Sequence, residues 1–319
     1  MGCAKCVLLL GDSRDRYLYH DWLAAGMCHR SQELNWSHCQ GLGPLGSAWV
    51  GNTSYETVGG VRCQSSTGPL RLRFLAYLQH WGVAGDHYHS GWPAHRHDGW
   101  GGKGWDEAPD GSAAVPHSPS LIIEGTKRFL VASQDLDCER HVLFSSYLWD
   151  LMRPVRVGSS LWGQRFGDNF SKVVRALKAT TDEANATLHL TLPFPVLDSQ
   201  LDYLTWRSGM FFGPVKLALY GLDLPLIDLS RPFLRTALLP HNGTADLGHE
   251  EILAKVKRQM ALYRAPSFVQ GYARLYRTKP ETGLLDSWHQ SASGSMLLWA
   301  HIGASIQRST AKGQCARGT

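Results

Sequence analysis

No run of about eighteen apolar residues occurs in this 319-residue chain, so no segment reads as a membrane-spanning helix. Charge is sparse as well. Asp, Glu, Lys and Arg make up 18% of the residues, and the net charge of +5 is scattered. The absence of a basic stripe argues against nucleic acid as a partner. No internal repeat and no interdomain linker is visible, which excludes a solenoid and favours one domain. No secretory leader is legible, because the first apolar stretch is short and runs straight into a turn. Met1-Gly2-Cys3 resembles the start of an acylation signal, but Cys6 stands where that signal needs Ser or Thr. Cys3-x-x-Cys6 has no second such pair to complete a zinc site, and no helix follows it as a redox dithiol would require. No metal and no organic cofactor is expected.

Asparagine is scarce too, and its placement is informative. The chain has five: Asn35, Asn52, Asn169, Asn185 and Asn242. Each one opens an N-x-S/T sequon, which chance placement does not readily produce. All five are expected to carry glycans on accessible surface, away from the catalytic edge. The expected compartment is therefore the secretory pathway, either the Golgi lumen or the extracellular space. A leader or membrane anchor would then lie upstream of this chain and supply the sole membrane contact. Seven cysteines agree with an oxidising lumen, and their odd number leaves at least one without a partner inside the chain.

What is present points to a folded α/β domain over residues 1–306, followed by a polar, mildly basic tail at 307–319. Val7 to Leu10 reads as a buried strand and Arg14 to Ala25 as a helix. Residues 28–57 read as a loop-rich excursion. Leu70–Gln79, His141–Ser145, Thr187–Leu192 and Leu224–Leu229 read as strands. Leu121–Ala132, Phe166–Ala179, Pro214–Tyr220, Glu250–Tyr263 and Ser291–Ile306 read as helices. Strands alternating with helices imply a doubly wound, mostly parallel sheet flanked by helices, with function at the C-terminal strand ends. Residues 80–118 form a long loop rich in Gly, His and Trp.

Two short motifs carry the chemistry. Gly11-Asp12-Ser13 follows the first strand, and Asp286-Ser287-Trp288-His289 precedes the last helix. A serine hydroxyl needs a base to take its proton, and the base needs a carboxylate to fix its tautomer. Ser13, His289 and Asp286 supply those three groups, with a tight turn bringing Asp286 to His289. As ordinary structure, Ser13 would cap a helix and Asp286 would cap the last one.

The two motifs together resemble the SGNH/GDSL hydrolase superfamily. That resemblance implies a flavodoxin-like architecture and an acyl-enzyme mechanism without a cofactor. It also implies an oxyanion held by the Ser13 N–H, by Gly82 after the second strand (Gly85 as the alternative), and by a third block. In that third block Trp149 occupies the place of an asparagine; its indole either donates its N–H or, as its bulk favours, packs beneath the site. Gly11-Asp12-Ser13-x-x-Arg16 and Ser146-x-x-Trp149-Asp150-Leu151 resemble the PC-esterase branch, related to trichome-birefringence-like glycan O-acetyltransferases and Cas1p-like proteins. Arg16 and Asp150 are then expected to contact substrate, together with Trp81, His87, His89 and Trp92 of the long loop. That loop also has the composition of a metal site, but its glycines favour a substrate-lining role.

The expected activity is that of a serine esterase or acyltransferase acting on O-acyl groups of glycans, O-acetyl above all. The partner is an acylated glycan or another acyl ester. A non-catalytic glycan-binding protein on the same fold and a lipid or thioester hydrolase are the alternatives.

Overall fold

The apolar run Cys6–Leu10 lies at the centre of the protein, buried on both faces. It belongs to strand β1 (Lys5–Gly11), which runs parallel to β6 (Leu72–Gln79) on one side and to β7 (Glu139–Phe144) on the other. A strand covered on both faces cannot alternate apolar with polar residues, which is why this segment is a continuous hydrophobic run. The computed structural model describes residues 3–33, 47–50, 53–56, 58–66, 68–80, 82–83, 119–146, 159–192, 219–229, 231–232, 276–278 and 285–310. The expected helices at Glu250–Tyr263 and over most of Pro214–Tyr220, the 80–118 loop beyond residue 83 and the tail from residue 311 lie outside the described residues.

β8 (Thr187–Leu192) and β9 (Leu226–Asp228) continue the parallel sheet beyond β7. The five parallel strands thus lie in the order β6-β1-β7-β8-β9. Counted among themselves this is 2-1-3-4-5, the flavodoxin-like doubly wound order. The chain adds β6 on one side of β1 and all later parallel strands on the other, so strand order reverses between β1 and β7, and a crevice at the C-terminal ends of those two strands is the expected ligand site.

Helices cover both faces. On one, Leu8, Phe74 and Phe144 pack against α2 (Pro119–Ala132) and α3 (Ser159–Glu183) through Phe129, Phe166 and Phe170. On the other, Val7, Leu9 and Leu75 meet α1 (Ser13–Ala24) and α4 (Ala292–Thr310) through Trp22 and Trp299. Trimming any one of these buried side chains to alanine would cost roughly 2–5 kcal/mol. Polar contacts fix how α4 sits on α1. Trp299 Nε1–H donates to the Leu18 carbonyl at 2.9 Å, and Ser295 Oγ–H donates to Asp21 Oδ2 at 2.6 Å.

The stretch expected to be a loop at 28–57 contains strands instead. β2 (Cys28–Glu33) pairs antiparallel with β5 (Val58–Ser66), which pairs antiparallel with β6. β3 (Ser47–Val50) and β4 (Thr53–Glu56) form a separate hairpin. β2 lies at the sheet edge and reads Cys-His-Arg-Ser-Gln-Glu, so no hydrophobic period announces it. Pairing with β5 and a Cys28–Cys63 disulfide hold it there. A second disulfide joins Cys6 in β1 to Cys138 just before β7, and Cys3 is disulfide-bonded as well.

Candidate active site

The Gly-Asp-Ser turn is built by close approach. A Cβ on Gly11 would fall 1.8 Å from Asp15 Oδ2 and 2.4 Å from Ser145 Oγ, so only glycine fits there. Asp12 caps α1. Its side chain accepts from the Arg14 N–H at 2.8 Å, while the Asp15 carboxylate accepts from the Asp12 N–H at 3.2 Å. This reciprocal capping box satisfies donors that a helix start leaves open. Ser13 is thus the first residue of α1, not its cap. Among the described residues nothing accepts from the Ser13 N–H.

Ser13 Oγ lies 2.6 Å from His289 Nε2, across 276 residues of sequence. The serine is 7% exposed and the imidazole is half-buried. His289 sits on β11 (Leu285–Gln290), which pairs antiparallel with β10 (Tyr276–Thr278). Tyr276 faces Gln290 and Thr278 faces Leu285, so Arg277 alone stands opposite the four residues Asp286 to His289. The motif therefore occupies a bulge, a device that re-aims side chains next to active sites. The backbone of Asp286 is on β11; its side chain lies outside the described residues. The helix start at Ala292 lies six residues beyond Asp286. Ser291 Oγ accepts from the Gly294 N–H at 3.2 Å at the start of α4.

Several residues that sequence reasoning passed over complete the frame. Buried Gln290 donates from Nε2 to the Arg14 carbonyl at 2.8 Å, tying the histidine's strand to the nucleophile's helix. The Tyr17 ring stands edge-on to His289, with centroids 4.8 Å apart and planes at 71°. Tyr17 lies one turn beyond Ser13 on the same helix face, a spacing that was legible in the sequence. Arg16, expected to contact substrate, places its guanidinium 5.3 Å from the Tyr17 ring centroid, within cation–π range.

Electrostatics under the turn are uneven. Burial opposes ionisation of Asp12, but the Arg14 guanidinium hydrogen-bonds its carboxylate at 2.6 Å and holds it below the usual range. Asp15 has no such cation bonded to it. Burial first, and then the Asp12 charge, push its carboxyl up to about 7, although the Ser145 hydroxyl donates to it at 2.9 Å.

Gly82 has φ of +100°, a backbone conformation that favours glycine. Its N–H donates to His80 Nδ1 at 3.1 Å, so holding an oxyanion would require that N–H to be shared with the imidazole. Trp81, Gly85, His87, His89, Trp92, Trp149 and Asp150 lie outside the described residues. So do Asn35, Asn52 and Asn242. Asn169 is half-buried within α3. Asn185 is exposed with φ of 53° where α3 gives way to β8, at the sheet edge opposite Ser13. Asparagine tolerates that left-handed conformation better than most residues.

No family model matches the chain, and a search of curated proteins found no relative. Among solved structures the chain resembles a mutant of a Geobacillus acetyl-xylooligosaccharide esterase at 13% identity and a TM-score of 0.34, covering 100% of this chain and 99% of that one. That mutant is one of the Axe2 enzyme, and other structures of Axe2, an acetylxylan esterase from Geobacillus stearothermophilus, match as well. A catalytic mutant aligns at 13% identity and TM-score 0.34 over 96% of this chain and 95% of that one, and another Axe2 structure at 13% and 0.33 over the same shares. Likeness this loose carries no chemistry, which has to be read from the side chains of this chain.

Proposed function

We propose that the protein is a serine hydrolase or acyltransferase of SGNH type that acts on acyl esters. The observation that carries this reading is the contact of Ser13 Oγ with His289 Nε2 at 2.6 Å. A base at that distance can take the hydroxyl proton as the oxygen attacks an acyl carbonyl. His289 Nε2 must then be the unprotonated nitrogen and Nδ1 must carry the proton, with Asp286 as its proposed acceptor. Negative charge on the carbonyl oxygen would meet the Ser13 N–H at the positive end of α1. Gly82 and Trp149 are the candidates for further donors. When the tetrahedral adduct collapses, the leaving alcohol takes the proton from His289 and Ser13 keeps the acyl group. Water, or a sugar hydroxyl, then gives its proton to His289 and attacks the acyl-enzyme; as the adduct collapses, the Ser13 oxygen leaves and takes that proton back from His289.

The proposed substrates are O-acylated glycans, most simply O-acetylated ones. Supporting this are the Trp-rich 80–118 segment and the placement of Arg16 beside Tyr17 at the site. The Arg16 position and the Trp149-Asp150 pair also favour the PC-esterase branch. Residence in an oxidising lumen is proposed on the two cross-strand disulfides and the exposed Asn185 sequon. Expression in a secretory host should give a mass that falls on deglycosylation; an unchanged mass would count against lumenal residence.

A fluorophosphonate probe tests the chemistry directly. It should label wild type at Ser13 and leave Ser13→Ala unlabelled, with acyl-ester turnover lower by at least about a thousandfold. A wild-type protein that binds glycan but takes no label would be a non-catalytic binder.

A further inference from the structure

Three strand ends meet beneath Ser13, and buried groups link them. The backbone N–H of His80, just past β6, donates to the Gly11 carbonyl at 2.7 Å, and that of Ser145, just past β7, donates to the Leu10 carbonyl at 2.8 Å. The His80 ring lies between these exits, 3% exposed and stacked on Phe144 with centroids 5.6 Å apart. Nε2–H donates to the Ser145 carbonyl at 2.7 Å, and Nδ1 accepts from the Gly82 N–H at 3.1 Å. Both nitrogens are committed, which fixes the neutral tautomer protonated at Nε2. Burial pulls the imidazole down to about 4, so it stays neutral at physiological pH. Ser145 in turn donates from Oγ to Asp15 in the nucleophile's capping box.

We propose that His80 is a positioning residue for the acyl-transfer site. It fixes the turn at Gly82, on the rim beside β1, relative to Ser13, through the run Gly82–His80–Ser145–Asp15. An imidazole suits this task because it accepts at one nitrogen and donates at the other with no rotatable bond between them. The inference rests on the reading of Ser13 as the nucleophile. Its logic is that reacting groups misplaced by about 1 Å can lose about a hundredfold in rate.

The test compares wild type, His80→Leu, His80→Asn and Ser145→Ala in p-nitrophenyl acetate turnover and in the rate of fluorophosphonate labelling. His80→Leu should lower kcat and the labelling rate together by about tenfold to a hundredfold, with KM within about twofold. Asparagine can accept from the N–H two residues on, as in an Asx-turn, so His80→Asn should recover most of that loss. Ser145→Ala keeps the carbonyl that His80 binds but cuts the link to Asp15, and should lower kcat by about tenfold at unchanged KM. It also serves if His80→Leu fails to fold. Wild-type rates in His80→Leu or Ser145→Ala, or an asparagine variant no better than a folded leucine variant, would overturn the inference while labelled wild type leaves Ser13 in place. Wild type that takes no label would remove the Ser13 reading and this inference with it.

Discussion

Asp12 and Asp15 close one capping box, yet the same buried turn drives their carboxyls in opposite directions. The Arg14 guanidinium clamps Asp12 with three contacts of 3.2 Å or less, whereas Asp15 receives the neutral donors Ser145 Oγ–H and the Asp12 N–H. Asp15 is raised from 3.8 to about 7 in the folded protein. Between those values the folded state keeps a proton that the unfolded chain has released, so stability from this group falls as pH rises through that window. Asp15→Asn cannot ionise and should remove that fall. Urea unfolding at about pH 5 and about pH 8 should show the difference between the two conditions shift by on the order of 1–4 kcal/mol in the variant. An unchanged difference would mean that Asp15 ionises like an exposed carboxyl.

Buried histidines act with the other sign. Burial lowers His80 to about 4 and His189 to about 3, and it also lowers His141, whose Nδ1 lies 3.0 Å from His189 Nε2. Below 6.5, their ordinary value, the unfolded chain takes up protons that the folded protein refuses, so stability falls as pH drops. In the overlap this opposes Asp15. His189→Gln should reduce the acid loss by up to about 1.4 kcal/mol per pH unit below about pH 6.5. Urea midpoints between about pH 6.5 and about pH 4.5 measure it, and a slope equal to wild type would show that His189 protonates normally.

Ser13 and His289 should behave as one catalytic unit. Each alanine variant is expected to lose at least about a thousandfold in kcat for an acyl ester, and the double variant should be little worse than either. Multiplying losses would mean that the two side chains contribute separately, contrary to a shared proton at the 2.6 Å contact.

Tyr17 should matter through its ring. An edge-on aromatic pair is worth about 0.5–1.5 kcal/mol, so Tyr17→Leu should lower kcat by about twofold to tenfold as the imidazole gains freedom. Tyr17→Phe keeps the ring and should stay near wild type. A phenylalanine variant as impaired as the leucine one would assign the role to the phenol hydroxyl.

Much of this arrangement was legible in local sequence. Val7 to Leu10 reads as a buried strand and lies within β1, and Thr187–Leu192 reads as a strand with the bounds that β8 has. Each depends on neighbours a few positions away, where hydrophobic period and turn chemistry operate. The polar edge strand Cys28–Glu33 has no such period and exists because β5 offers it a hydrogen-bonding edge and Cys63 a disulfide. The motifs around Ser13 and His289 marked the groups able to do the chemistry, but only the fold could set 276 residues of separation to 2.6 Å. Packing of Trp299 on α1 and the bond from Gln290 to Arg14 do that work, and both join the region of His289 to the nucleophile's helix. The neutral bridge at His80 belongs to the same class. Its tautomer and its role depend on the exits of β6 and β7 lying side by side around β1, a consequence of strand order that no local pattern encodes.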